Sequence, residues 1–204
     1  MIYGGGAFQV FEILAVALSA VCFVGFAWAI RGHFQHHEKM PVGMRVVSLL
    51  SLAGFGWFLI ARTRAIPMHS THWLYMDAAS CVLFVVSLVV FWLSIGATRA
   101  RPLTLAFAAD VPTFLQRRGP YKFVRHPFYL SYLLFWLGTA LASRSELHWI
   151  MPAIMLPLYV EAARREEKKF IGSSLASAYN DYREQTGMLL PGHNLSWARF
   201  TGRK

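Results

Sequence analysis

Charged residues are scarce in this chain of 204 residues. Asp, Glu, Lys and Arg make up 15% of the sequence, hydrophobic residues make up 56%, and the mean hydropathy is +0.41. This composition excludes an ordinary water-soluble domain and is typical of a membrane protein. The net charge of +10 does not point to nucleic acid as a partner, because the Lys and Arg residues lie between apolar runs and not in one basic domain.

Cysteine is nearly absent. Cys22 and Cys81 both lie inside apolar runs, where a thiol behaves as a small hydrophobic group, so the sequence predicts no disulfide. Residues 1–6 contain no Lys or Arg, and the cationic start of a signal peptide is therefore missing. We expect the first apolar run to be retained as a membrane span.

Long apolar runs are what the chain has in abundance. Five can be read, at residues 8–30, 46–61, 73–95, 128–142 and 149–163. At a rise of about 1.5 Å per residue, the first and third are long enough for a hydrocarbon core of about 30 Å. The other three are shorter and need flanking residues or local thinning of the bilayer. We therefore predict an all-α, polytopic helical bundle with five transmembrane helices.

The distribution of positive charge predicts how this bundle is oriented. All but three of the 20 Lys and Arg residues lie in alternate connecting segments and in the C-terminal tail, which places the N-terminus outside and the C-terminus in the cytosol. Such a multi-pass protein suits a bacterial inner membrane or an endoplasmic-reticulum-type membrane, with membrane lipids around it. We divide the chain into a three-span region (1–95), an interfacial loop with a polar motif (96–127) and a C-terminal hairpin with cytosolic helices (128–204).

Two polar clusters border the last two apolar runs. Residues 116–129 read Gln-Arg-Arg-Gly-Pro-Tyr-Lys-Phe-Val-Arg-His-Pro-Phe-Tyr, and residues 164–167 read Arg-Arg-Glu-Glu. Each proline fixes φ and biases the residue before it away from helix, so Gly119-Pro120 and His126-Pro127 predict a defined bend. If the two runs form an antiparallel hairpin, both clusters lie on the same side of the membrane and meet there.

This combination resembles the isoprenylcysteine carboxyl methyltransferase and phospholipid methyltransferase superfamily of integral membrane enzymes. The pattern of that family is Gly-Pro-Tyr, then Arg-His-Pro-x-Tyr, a hydrophobic hairpin, Glu-Glu, spaced tyrosines and a Leu-Pro, and its parts occur here in order between Gly119 and Pro191. The resemblance implies S-adenosylmethionine as cofactor and a lipophilic acceptor that enters from the membrane. The matching positions are Tyr121, Arg125, His126, Pro127, Tyr129, Glu166 and Glu167.

The chemistry of these side chains suits methyl transfer, which requires placement and charge stabilisation and no covalent nucleophile. Either Glu166 or Glu167 suits the ammonium group of the donor, and tyrosine faces suit its adenine or sulfonium. His126 suits its carboxylate or purine by hydrogen bonding. We assign Arg125 and Glu167 as catalytic residues, with Arg125 suited to an anionic acceptor. The resemblance implies cofactor binding by Tyr121, His126, Pro127, Tyr129, Glu166 and Glu167.

The chain departs from the family pattern at two places. Ser131 stands where the family usually has glycine, and Ser174-Leu175 replaces the usual Phe-Gly before the spaced tyrosines. Tyr179 and Tyr182 are spaced to lie on one face of a final helix.

Several polar residues are expected to be structural. Glu12 and Asp77 lie near the outer ends of their runs, where water or a partner such as Arg62 or Arg64 neutralises them. We interpret His33, His36, His37 and Glu38 as solvated interfacial residues and predict no metal site. Gly54 and Gly56 form a patch at which a neighbouring helix approaches closely.

Other interpretations compete with a methyltransferase. A haem protein requires histidines in the middle of spans, and none of the eight histidines lies there. A transporter would show repeats or midplane polar residues, and the sequence has no internal repeat. A sterol-reductase-like protein would need more spans than this chain has. A non-enzymatic transport or structural subunit is the main alternative. For the methyltransferase, prenylcysteine-type carboxylates, phospholipid amines and small hydrophobic thiols all remain open as acceptors.

Overall fold

Six α-helices form the protein in the computed structural model, which describes residues 5–34, 40–64, 70–103, 107 and 111–192. They are α1 (Gly5–Gly32), α2 (Val42–Arg64), α3 (Thr71–Thr98), α4 (Pro127–Ala142), α5 (Ile150–Ile171) and α6 (Ala176–Gln185). Short 3-10 turns at Gly119–Lys122 and Glu146–Trp149 precede α4 and α5. No strand occurs in these ranges, so the predicted all-α class is confirmed.

The helices are longer than the apolar runs that predict them. The 46–61 run extends to the 23 residues of α2, and the 149–163 run continues through its polar end to the 22 residues of α5. Arg, Lys and Glu are good helix formers, so a helix does not have to end where its apolar part ends. Three helices, α1 to α3, are long and apolar enough to cross a membrane, and α4 is a shorter apolar helix of 16 residues.

Close helix packing depends on a few small residues. A Cβ added at Gly138 of α4 would lie 2.6 Å from the ring of Phe84 on α3, so glycine is required for these helices to approach. On the same face, the hydroxyl of Ser87 donates to the carbonyl of Ser131 at 2.7 Å. Ser131 is fully buried in this helix contact, so the position where the family usually has glycine packs α4 against α3.

The predicted glycine patch on α2 is confirmed at one residue and wrong at the other. A Cβ at Gly54 would lie 2.3 Å from the sulfur of Met151 and 3.1 Å from the ring of Trp136, so this glycine admits α4 and α5. Gly56 has no atom within 4 Å of the same position and faces open space. On a helix, positions two residues apart do not share a face.

A buried ionic cluster lies at the end of the bundle that contains Glu12, which we call the far end. Arg62 and Arg144 each donate to the same carboxylate oxygen of Asp77, at 2.9 and 3.1 Å, and Glu12 lies 3.7 and 3.6 Å from the two guanidinium groups. The expected pairing of Asp77 with Arg62 is confirmed, whereas Arg64 is exposed. Because Arg144 comes from the turn between α4 and α5, the cluster connects four parts of the chain.

At the opposite end, which we call the motif end, His33 contradicts the expectation of a solvated histidine. Its ring is buried and its Nε2 lies 2.8 Å from the hydroxyl of Thr98, which joins the ends of α1 and α3. His36, His37 and Glu38, predicted to lie in the same loop, fall outside the described residues.

Candidate active site at the motif end

The predicted bend between α3 and α4 is present. Gly119 has φ of +60°, a conformation that favours glycine, and a Cβ there would lie 3.1 Å from the Cβ of Ala97. Pro120 is the second residue of the 3-10 turn that begins at Gly119, and Pro127 occupies the first position of α4. Proline suits this position because the first N–H of a helix has no partner within the helix. The motif residues therefore reach the end of the α4–α5 hairpin in a fixed orientation.

The chain after α6 returns beneath this motif and is hydrogen-bonded to it. The backbone N–H groups of Arg125 and His126 donate to the carbonyls of Gly187 and Met188, at 2.8 and 3.1 Å. A Cβ at Gly187 would lie 1.9 Å from the carbonyl oxygen of Leu190, so the tight turn that follows requires glycine. Pairing of distant backbone segments leaves no periodic pattern in the sequence, and it was not predicted.

Glu167 is the buried centre of the polar network. Its Oε1 atom accepts hydrogen bonds from Arg125 Nε at 2.9 Å and from His126 Nε2 at 3.2 Å. Arg125 also donates to the carbonyls of Arg183, at 3.2 Å, and Thr186. Burial raises the pKa of Glu167, but the hydrogen bonds from His126 and Arg125 outweigh burial, and the pKa falls to about 2. This carboxylate therefore connects the motif, α5 and the end of α6.

Glu166 has different surroundings. It accepts a hydrogen bond from the hydroxyl of Tyr129, and its Oε2 lies 3.5 Å from His126 Nδ1. Its side chain is 33% exposed, against 7% for Glu167. Consecutive residues of an α-helix point about 100° apart, which explains how one member of the pair is enclosed while the other faces a cavity.

His126 lies between the two glutamates. Burial lowers the pKa of its ring, whereas hydrogen bonds to Glu166 and Glu167 raise it, and the net shift is upward. Its ring also stacks on Tyr129, with centroids 5.6 Å apart. The histidine is therefore held in one orientation between an enclosed carboxylate and an accessible one.

The two tyrosines of α6 complete this end of the protein. Both are buried, as their predicted position on one face requires. The hydroxyl of Tyr182 donates to the carbonyl of Tyr121 at 2.6 Å, and the ring of Tyr179 stacks on Phe170 of α5 at 4.8 Å. Burial raises the pKa of Tyr182 to about 12. Tyr121 is also buried, and its hydroxyl has no hydrogen-bond partner.

A cavity of about 460 Å³ contains most of the predicted site residues in its wall. Tyr121, Arg125, His126, Pro127, Tyr129 and Glu166 line it, whereas Glu167 supports it from behind. Among the described residues that line the cavity, Glu166 is the one carboxylate. Lys169 also lines it. The polar residues lie at the motif end, and an apolar arm of the cavity extends between α1, α2 and α4.

Two further tyrosines of the cavity were missed by sequence reasoning. Tyr132 and Tyr159 lie with Tyr129 where the polar part of the cavity meets the arm, with ring centroids 5.6 to 6.4 Å apart. Faces of aromatic rings attract cations, and Glu166 lies beside them. The spacing of Tyr129 and Tyr132 was a usable signal, because residues three apart share a helix face.

The segment between α3 and the motif was expected to be interfacial. Of its described residues, Leu103, Phe107, Phe114 and Leu115 line the cavity, whereas Asp110 falls outside the described residues. Apolar side chains of this segment therefore cover the cavity between the helices.

Comparison with known proteins gives two findings. The profile of a family described as phospholipid methyltransferase matches residues 75–178, just over half of the chain. A protein named methanethiol S-methyltransferase, from Pseudomonas sp. (strain GM41(2012)), is 34% identical over 79 residues. This stretch covers 39% of the chain and 29% of the length of that relative. The profile covers the motif, both glutamates and the α4–α5 hairpin.

Proposed function

Because the chain belongs to the phospholipid methyltransferase family, we propose that it is a membrane enzyme that transfers a methyl group from S-adenosylmethionine to a lipophilic acceptor. The observation that carries the proposal is the single cavity lined by six of the seven motif residues, with a polar end and an apolar arm. A charged donor and a lipophilic acceptor require these two environments side by side.

The residues of the polar end fit the donor. Glu166 offers a partly exposed carboxylate to its ammonium group, and the buried hydroxyl of Tyr121 has an unused hydrogen-bonding capacity. The rings of Tyr129, Tyr132 and Tyr159 suit a sulfonium. When bound, S-adenosylmethionine would supply a methyl group activated by the positively charged sulfur. The protein holds the two reactants in place and excludes water.

We assign Arg125 and Glu167 a positioning role in place of the catalytic role expected from the sequence. Arg125 already donates hydrogen bonds to Glu167 and to two backbone carbonyls. The N–H groups that make these bonds are not free to hold the carboxylate of an acceptor. This favours an uncharged thiol or amine over a carboxylate as the acceptor. The name of the Pseudomonas relative includes methanethiol, which is an uncharged thiol, and this supports the same choice.

We also propose how the chain crosses the membrane. The fourth span is α4, the fifth is the apolar half of α5 up to residue 163, and the motif end lies in the cytosol. The four cations in the polar half of α5, together with Arg183 of α6, then face the side on which a soluble donor is available. A reporter enzyme that is active only in the cytosol, fused to the C-terminus, should be active if this orientation is correct.

The decisive experiment is calorimetric titration of S-adenosylhomocysteine into the detergent-purified protein. Wild type should bind saturably, and Glu166→Gln should lose most of the affinity. Glu161→Gln is the matched control, because Glu161 lies on the same helix, is exposed and pairs with Arg165 at 2.7 Å. Absence of binding to a well-folded wild type would refute the proposal and favour a transport or structural subunit.

A further inference from the structure

The hydroxyl of Ser48 on α2 is an unusual feature of the apolar arm. Helical serines in this protein generally donate to a backbone carbonyl three or four residues earlier, as Ser19, Ser80, Ser94 and Ser131 do. Such local bonds are the usual way in which a serine satisfies its hydroxyl inside an apolar helix. Ser48 does not make one: its Oγ is buried without a hydrogen-bond partner, and the residue lines the cavity.

A second group of polar atoms lies one turn along the same wall. The indole N–H of Trp136 donates to the hydroxyl of Tyr159 at 3.2 Å. Tyr159 and Trp136 both line the cavity. Each of these two groups has the other as a partner, whereas the buried hydroxyl of Ser48 on the same arm has none.

The surroundings of Ser48 define the kind of ligand that fits. The arm is lined by Phe23, Phe26, Val47, Leu52, Phe135 and Trp136, none of which is charged. A charged group in such surroundings would lose its hydration without compensation, so an uncharged ligand is favoured. Rotation about χ1 turns the Ser48 hydroxyl from its buried position towards the cavity, and a ligand that carries a hydroxyl or carbonyl then gains a hydrogen bond that a plain hydrocarbon does not.

The arm also reaches the surface of the bundle that faces lipid. Leu52 lines the cavity and is nevertheless 60% exposed, and Leu49 beside it is 67% exposed. An apolar residue that belongs to both the cavity and the outer surface marks an opening on α2. A lipophilic ligand can therefore enter from the bilayer without crossing water.

We propose that Ser48 is a specificity-determining residue of the acceptor site, and that the acceptor is an uncharged lipophile with a hydroxyl or carbonyl along its chain. That the ligand of this arm accepts a methyl group rests on the proposed function, whereas the binding preference at Ser48 does not.

The test is equilibrium binding of radiolabelled probes to the detergent-purified protein without methyl donor. The probes are alkanethiols and ω-hydroxyalkanethiols in matched chain lengths. For wild type, we expect a chain length at which the hydroxylated probe binds about tenfold more tightly than its parent. Ser48→Ala and Ser48→Cys should remove this advantage and leave the affinity for the parent unchanged. Ser48→Phe should weaken the binding of both probes, because it fills the arm.

Ser94→Ala is the matched control, since Ser94 is a buried helical serine outside the cavity wall whose hydroxyl donates to the carbonyl of Val90. It should retain the hydroxyl preference. The proposal is overturned if no hydroxylated probe binds more tightly than its parent, or if the advantage survives Ser48→Ala. Affinity for S-adenosylhomocysteine is measured in parallel: its absence in wild type refutes methyl transfer, while the Ser48 preference is still judged from the probes alone.

Discussion

Replacing Glu167 by Gln should destabilise the protein strongly, whereas the same replacement at Glu166 should chiefly reduce cofactor affinity. The two substitutions remove the same charge from adjacent residues of one helix. Glu167 is enclosed and accepts hydrogen bonds from Arg125 and His126, whereas Glu166 is one third exposed and lines the cavity. Any difference in stability or cofactor affinity between the two variants therefore reflects the surroundings of the two carboxylates, because the chemical change is the same.

The magnitude for Glu167 follows from its pKa. The value falls from 4.5 to about 2, and each pKa unit corresponds to about 1.36 kcal/mol, so the ionised side chain contributes about 3 kcal/mol to folding at pH 7. Removing one partner of a buried ion pair costs roughly 3–5 kcal/mol, which agrees. For a chain of this size, about 3 kcal/mol corresponds to a melting temperature lower by roughly 6–12 °C. Glu166→Gln should cost less than about 1 kcal/mol.

The sign of the pH dependence gives a second check. Because folding lowers the pKa of Glu167, its contribution is fully present above pH 4.5 and is lost as the pH falls towards about 2. The melting temperatures of wild type and Glu167→Gln should therefore differ by a constant amount at neutral pH and converge in acid. The assay is thermal unfolding in detergent, with the affinity for S-adenosylhomocysteine measured on the same variants. The reasoning is refuted if both variants lose equal stability or if Glu167→Gln is as stable as wild type.

Four further predictions test other parts of the structure. Because folding raises the pKa of His126, its protonated ring contributes stability below pH 6.5 that is lost as the pH rises through the raised value. The melting temperature of wild type should show this decline, and that of His126→Asn should not. Equal slopes of melting temperature against pH for the two proteins would contradict this prediction. Asp77→Asn removes the charge that accepts hydrogen bonds from two buried guanidinium groups and leaves them the more distant Glu12, so thermal unfolding should report a loss of about 3 kcal/mol with unchanged cofactor affinity. Gly54→Ala should cost about 1–3 kcal/mol through overpacking, while Gly56→Ala, which meets open space, should cost nothing; similar losses would exclude the packing argument. Tyr121→Phe removes a buried hydroxyl without a partner, so calorimetry should show cofactor affinity reduced about tenfold without loss of stability, and unchanged affinity would remove Tyr121 from the site.

The sequence predicts the helices and the bend well, because both depend on local chemistry. Apolar runs mark α1 to α5, and Gly119-Pro120 and His126-Pro127 mark the bend, since proline acts on its own residue and its neighbour. The meeting of the two polar clusters follows from the short connection between α4 and α5. In each case the physical cause lies within a few residues of its effect.

What the sequence does not predict is which face of each helix meets protein. A membrane helix is apolar towards lipid and towards its neighbours, so its composition does not separate the two: Ile13 is 67% exposed, whereas Ala15 is fully buried. The charge count likewise does not predict that Arg144, in the turn between α4 and α5, joins the far-end ionic cluster. His33, expected in water, is buried against Thr98.

The two ends of the bundle contain similar charged residues that are used differently. At the far end, Arg62 and Arg144 converge on the buried Asp77, so these charges hold helices together. At the motif end, Arg125 and Glu167 form the same kind of buried pair, but the adjacent Glu166 lies in the cavity wall. A buried pair keeps its geometry because separating it is costly, and such a pair next to an accessible carboxylate holds that carboxylate in place for a ligand. At the far end the partly exposed Glu12 lies against both guanidinium groups but does not line the cavity that the motif residues line, and this is why we assign a structural role to one cluster and a binding role to the other.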